Sequence, residues 1–226
     1  MKKRSKRYRE ATKFSDRANY YSLKEAISIL KKTPLAKFDE TVEISLQLST
    51  DPKKSDQMVR GTVVLPHGTG KKVRIAVFCK GEKELEARSA GADFVGGQDL
   101  IERVSKGFLD FDCAISTPDM MKDLSKLGKI LGPRGLMPSP KTGTVTFDIQ
   151  QAIKEIRKGK VEFKMDKLAG IHLGIGKISF GEDQLYENTS KVIEAIQMAK
   201  PPAVKGSLIK KVYISKTMSP GVRIRL

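Results

Sequence analysis

The run Gly68-Thr69-Gly70-Lys71-Lys72 is the first place where residue types and spacing suggest chemistry, a glycine loop and a lysine cradling phosphate. That chemistry needs a Gly five residues before the Gly-Lys pair and a Ser or Thr after it. Leu65 and Lys72 stand there instead, so a basic connecting loop is the better reading. The apolar run Val73 to Cys79 leads into Lys80-Gly81-Glu82, not into the GxGxxG turn of a dinucleotide site. His67 and His172 stand far apart, without a nucleophile or ligand cluster. Cys79 and Cys113 lack CxxC spacing, and no paired carboxylates stand out. Neither an enzyme, a metal site nor a cofactor is expected.

Binding chemistry is better represented. Ser215, Lys216, Thr217, Met218, Ser219, Pro220 and Gly221 form a short, hydroxyl-rich, sharply turned loop. It reads as a plain hairpin loop, or as one able to approach an RNA minor groove and meet 2′-OH groups. Phe38, flanked by Lys37 and Asp39, reads as a core lid or as an aromatic contact to sugar or base. Lys164, Lys167 and His172 flank a further strand pair. Arg134 and Lys141 lie in the loop Gly132 to Val145, whose glycines and prolines suit a rigid crossover or a phosphate-facing surface.

Two styles of element must position these residues. Near the chain start, Ser22 and Glu25 have capping-box spacing ahead of Leu23, Ala26, Ile27 and Leu30, and Pro34 stops the pattern. Thr41 to Ser49 alternates strictly, with Val42, Ile44, Leu46 and Leu48 on one face. Met58 to Leu65 is a second strand. The middle of the chain has short, uniformly apolar strands (73–79, 93–95, 113–116) between helices (82–90, 98–106, 119–127, 148–158), which predicts a parallel α/β sheet. Alternation then returns at Val161, Phe163 and Met165. A Gly-broken strand (171–180), a helix (182–200) and strands at 208–215 and 222–226 follow.

Residues 1–67 and 160–226 each hold too few elements for an easy core of their own. Together they make an α+β layer of four or five antiparallel strands and two helices. We therefore expect a discontinuous α+β domain (1–67 plus 160–226) with an inserted Rossmann-like α/β domain (68–159), joined by side-by-side linkers that would form a hinge. A simple N-to-C split is the competing layout.

The 226 residues carry 43 Lys and Arg against 26 Asp and Glu, a formal charge of +17. The two outer segments hold +13 of it and the middle segment +4. A polyanionic partner is implied, with nucleic acid first and its main surface on the outer domain. The basic arm Lys2, Lys3, Arg4, Lys6, Arg7, Arg9 and Lys13 is either a solvated terminus or a phosphate contact. No apolar window suits a membrane span, and Glu10 and Asp16 argue against a targeting peptide. A reduced, cytoplasmic setting is expected.

Several segments taken together carry a resemblance: KRYREA (6–11), KFDETVE (37–43), RGTVVLPHGTGK (60–71), LGPRGLMPSPKTGTV (131–145) and KTMSPGVRI (216–224). In order, over nearly the whole chain, they resemble the bacterial form of the ribosomal protein L-one family. The resemblance implies a split β-α-β domain from both chain ends with a Rossmann-like insert. It also implies a non-enzymatic constituent of the large-subunit stalk, monomeric outside the ribosome. The implied partners are large-subunit rRNA, exit-site tRNA, whose deacylated form it helps release, and the protein's own messenger, which it represses.

By motif, the resemblance makes Phe38, Ser215, Thr217 and Met218 RNA contacts, with Lys216 in the same loop. Ser219 stands where Gly is expected, so its Cβ either crowds a backbone approach or brings a hydroxyl. Lys37, Thr41, Glu43, Lys167 and His172 join them by strand face and proximity, and Arg134 and Lys141 are secondary contacts. A non-specific nucleic-acid chaperone explains the charge equally well, but not the compact hydroxyl-rich loop.

Overall fold

The structure is a computed structural model that describes residues 5–16, 19–34 and 36–225. Lys2, Lys3 and Arg4 of the basic arm, and the final residue of the last expected strand, lie outside the described residues. In chain order the elements are α1 (Lys6–Ala11), α2 (Leu23–Lys32), β1 (Thr41–Leu48), β2 (Arg60–Val64), β3 (Ile75–Phe78), α3 (Glu82–Ser89) and β4 (Phe94–Gly96). There follow α4 (Gln98–Ser105), β5 (Cys113–Ser116), α5 (Met121–Ser125), α6 (Gly128–Leu131), α7 (Ile149–Arg157) and β6 (Lys160–Lys164). The chain ends with β7 (Gly170–Lys177), α8 (Glu182–Met198), β8 (Ile209–Lys216) and β9 (Val222–Ile224). Residues divide into two compact units, 1–70 with 159–226, and 71–158. The class is mixed α/β.

In the first unit, β7, β1, β8 and β9 form an antiparallel sheet in that order. The alternation along β1 buries Val42, Ile44, Leu46 and Leu48 to 2% exposure or less. This face packs on Ala26, Ile27 and Leu30 of α2 and on Leu185, Val192 and Ile196 of α8. The expected capping box starts α2: Glu25 N donates to Ser22 Oγ, and Ser22 N donates to Glu25 Oε2 at 2.9 Å. The expected single layer of four or five strands is instead this sheet plus a separate ribbon of β2 and β6. Gly61 pairs with Phe163 in the ribbon, and a Cβ on Gly61 would meet the Phe163 ring at 2.7 Å.

Helix α8 carries two buried polar residues, Asn188 and Thr189. Asn188 is fully used. Its Nδ2 donates to the carbonyls of Gly68 (3.0 Å) and Ile175 (2.8 Å), and its Oδ1 accepts from His67 N at 3.1 Å. Gly159 lies against the same segment, and its carbonyl accepts from Leu65 N.

In the second unit, β4, β3 and β5 form a parallel sheet with β3 in the centre. Every residue of β3 is buried, as its unbroken apolar run requires. Ile75 and Val77 pack with Ala87 of α3 and Ile149, Ile153 and Ile156 of α7. Ala76 and Phe78 pack with Leu100 and Val104 of α4, Leu124 of α5 and Leu131 of α6. The single helix expected over 119–127 is a 3-10 turn (Pro118–Met120) followed by α5, with α6 beginning at Gly128. Among the described residues, no helix is long and apolar enough to cross a membrane.

Candidate nucleic-acid interface

The face of the four-stranded sheet away from the helices carries the polar half of each strand. Register lines these residues up in rows. His172, Ser45, Tyr213 and Arg223 oppose one another in sequence across β7, β1, β8 and β9. Gly174, Glu43 and Ser215 form the next row, and Lys177 faces Thr41 at the rim. His172 Nδ1 lies 3.0 Å from Ser45 Oγ, and the Arg223 guanidinium stacks 4.0 Å from the Tyr20 ring centre.

The rim at Thr41 is where the expected loop lies. Thr217 and Met218 are exposed, Met218 by 52%. Phe38 lies just before β1 and is 54% exposed, so it is a surface aromatic and not a core lid. Its neighbour Asp39 is tied down: Ser179 Oγ donates to Asp39 Oδ2 at 2.9 Å, and Ser179 N donates to Oδ1. Lys177 Nζ donates to Thr41 Oγ1 at 2.9 Å. Lys37, Phe38, Thr41, Glu43, Ser215, Thr217, Met218 and Ser219 therefore share one end of the sheet. Ser219 uses its hydroxyl inside the turn, accepting from Lys216 N at 3.0 Å while its own amide donates to Lys216 O. That hydroxyl closes the turn from inside.

Lys216 departs from expectation. It is 2% exposed, not a surface cation, and points to the inner side with Val212 and Ile214. Its ammonium lies 3.6 Å from the carboxylate of Glu40, which is 0% exposed. Burial pushes the Lys216 pKa below the usual lysine value, against the pull of Glu40 and with a further push from Arg7. Glu40, which sequence reasoning missed, accepts from Met218 N at 2.9 Å through Oε2 and from Ala36 N at 2.8 Å through Oε1. The signal was available: Glu40 and Lys216 occupy the inward parity of their strands.

The remaining candidates spread out. His172 lies midway along the face, with Nε2 3.7 Å from Asp166. Lys167 is exposed in the turn before β7, at the opposite end of that strand from the 217–219 loop, roughly 25 Å away by strand rise. Ser45, Gln47, Leu168, His172, Lys211 and Tyr213 line a shallow groove of about 560 Å³ toward that end. Tyr213 and Arg223 also escaped notice, although both follow the outward parity of their strands. Arg134 and Lys141 are exposed in the second unit, on a loop braced by hydrogen bonds among Ser139, Thr142 and Thr144. Among the described residues no cluster of three or more His, Cys, Asp or Glu is placed to hold a metal ion.

A surface of hydroxyls, an exposed ring and flanking cations, backed by a braced sheet, suits a polyanion with a defined shape. The Ribosomal protein L1p/L10e family model matches residues 30–220. The large ribosomal subunit protein uL1 of Solidesulfovibrio magneticus is 55% identical over 224 residues, spanning 99% of this chain and 95% of that protein.

Proposed function

The chain belongs to the ribosomal protein L1p/L10e family, and from that premise we propose that it is a structural constituent of the large ribosomal subunit that binds rRNA through the Thr41 end of its first unit. The observation that carries this is the gathering of Phe38, Thr217 and Met218, all exposed, over a buried and hydrogen-bonded support. Hydroxyl and aromatic groups held this way can read 2′-OH groups and unstacked bases, while the net +17 supplies a salt-sensitive phosphate term. Lys37, Lys167 and His172 extend the contact along the face. Arg134 and Lys141 are secondary contacts.

At finer grain, the protein sits in the cytoplasmic ribosome at the mobile lateral stalk. There it helps deacylated tRNA leave the exit site, and it represses its own messenger through a similar RNA fold. It is a monomer outside the ribosome. In this reading residues 1–67 with 160–226 are the rRNA-binding domain and 68–159 the inserted Rossmann-like one.

The test is a salt titration of equilibrium binding to the rRNA stalk junction and to a duplex of equal length. A preference for the junction of about a thousandfold at physiological salt is expected, by analogy with specific protein–DNA ratios. Curves that fall together with one slope would leave only charge, and the function of a non-specific chaperone.

A further inference from the structure

We propose that the buried Glu40–Lys216 ion pair is the positioning device of the RNA-facing rim, setting the shape that discriminates one RNA fold from another; this rests on the reading that the rim meets RNA. Three stretches of chain converge on the pair. Lys216 Nζ donates to the carbonyls of Thr33 (3.2 Å) and Pro34 (3.3 Å), which close the end of α2. Glu40 holds the amide of Ala36 with one oxygen and the amide of Met218 with the other. Phe38 lies between Ala36 and Glu40, so the short segment that presents its ring is pinned at both ends. Met218 lies next to Thr217, so the loop is pinned through the same carboxylate.

The chemistry favours positioning over direct contact. Lys216 is 2% exposed, and its ammonium is engaged by two carbonyls and a carboxylate. A phosphate would have to displace those partners to reach it. A buried pair contributes little net stability compared with apolar packing of the same volume, whereas removing one member leaves the other charge uncompensated. What the pair does supply is fixed geometry. A contact loop ordered before binding spends less of its interaction energy on being ordered. Lys216 and Glu40 are thus positioning residues, and the groups touching RNA are the ones they hold.

Three variants separate the roles: Lys216→Met, Glu40→Gln and the double substitution, each checked for a cooperative melt. Affinity for the stalk junction and for a duplex is measured across salt, alongside hydrogen exchange at the Met218 amide. For Glu40→Gln we expect exchange at Met218 to rise at least about tenfold. Junction affinity should fall about ten- to hundredfold, the scale of a lost charge-assisted hydrogen bond. Duplex affinity and the salt slope should stay unchanged for every variant, and the double variant should recover part of the junction affinity lost by Lys216→Met. A salt slope reduced by about one in Lys216→Met, with both RNAs weakened alike, would make Lys216 a phosphate contact and overturn the proposal. Faster Met218 exchange with unchanged junction affinity would make the pair a fold prop only. A wild-type protein without junction preference would defeat the functional reading itself, and it would be recognised before any variant is compared.

Discussion

Thr217 and Thr41 hold each other at the rim of the sheet: the Thr217 amide donates to the Thr41 carbonyl at 3.1 Å, and the Thr41 amide donates to the Thr217 hydroxyl oxygen at 3.2 Å. The first residue of the loop is thereby stitched to the first residue of β1. The same hydroxyl donates to the Thr41 carbonyl at 3.4 Å, so one acceptor lone pair is left for a further partner.

Thr217→Val should therefore do two things. It leaves the Thr41 amide without its acceptor, at a cost of about 1 kcal/mol in stability. It should also weaken junction binding about tenfold while sparing duplex binding. Thr217→Ser, which keeps the hydroxyl, should retain the affinity. Equal junction affinity for the valine and serine variants would remove the hydroxyl from the recognition surface.

Phe38→Ala should leave the melting temperature close to wild type, because the ring is 54% exposed. If the ring stacks on a base, its loss costs about 1–3 kcal/mol of binding, on the scale measured for aromatic platforms in single-strand binders. Phe38→Tyr should preserve most of it. A stable alanine variant with wild-type junction affinity would dismiss the stacking role.

Gly159→Ala should destabilise by about 2 kcal/mol or more, read by urea denaturation. Gly159 has φ +97°, and an added Cβ would lie 2.5 Å from Gly68 Cα. The obstacle is backbone on both sides, so no side chain can swing away. A variant within a few tenths of a kcal/mol of wild type would contradict this close approach of the two segments.

Asn188→Ala should cost about 2–4 kcal/mol, since it strips partners from His67 N and from the carbonyls of Gly68 and Ile175 in a buried place. Asn188→Asp is a sharper probe. It keeps the acceptor for His67 N but turns the groups facing the two carbonyls from donor to acceptor, so it should be no better tolerated than alanine. A chemical melt in which aspartate matches wild type would refute that assignment.

Asp112 has its pKa lowered to about 2 by the Lys71 ammonium and by the amide and guanidinium of Arg74. A folded pKa below the unfolded value of 3.8 means the stabilisation is complete above pH 3.8 and is lost as pH falls toward 2. The contribution is about 1–2 kcal/mol after allowance for solvent screening. Asp112→Asn should lower stability at pH 7 and flatten the acid limb of the stability curve between about pH 4 and 2. A wild-type and a variant curve that stay parallel through that window would show that the carboxylate gains nothing from its partners.

Much of the fold could be read directly, because the signals are local. The period-2 alternation of Val42, Ile44, Leu46 and Leu48 announces a strand with one buried face, and all four are buried. The Ser22/Glu25 spacing announces the start of α2. The unbroken run through Ile75–Phe78 announces a strand covered on both faces. Strand partners were another matter. That β2 leaves the main sheet to pair with β6 depends on residues about a hundred positions apart, and nothing within Arg60–Val64 names that partner.

At the site, residue types mark the 215–221 loop and leave Phe38 open between core lid and contact, the family resemblance singles out Phe38, Thr217 and Met218, and the tertiary structure exposes all three near the Thr41 rim. Lys216 shows the limit. As one of 43 basic residues in a strongly charged chain, it reads as a surface cation. Strand parity alone hints otherwise, since Lys216 continues the inward set of Val212 and Ile214, and Glu40 precedes Val42 and Ile44 on the same side. Parity can say that a charge points inward, but not whether a counter-charge waits there. The pairing of β1 with β8, Val42 opposite Lys216, brings the two together across 176 residues of chain. The sequence by itself determined most of the elements, their faces and the implied call for a polyanion, because backbone periodicity and net charge are local or summed properties. Tertiary structure alone decided which charges are spent inside and which stay at the surface, because burial and neutralisation depend on contacts between residues far apart along the chain.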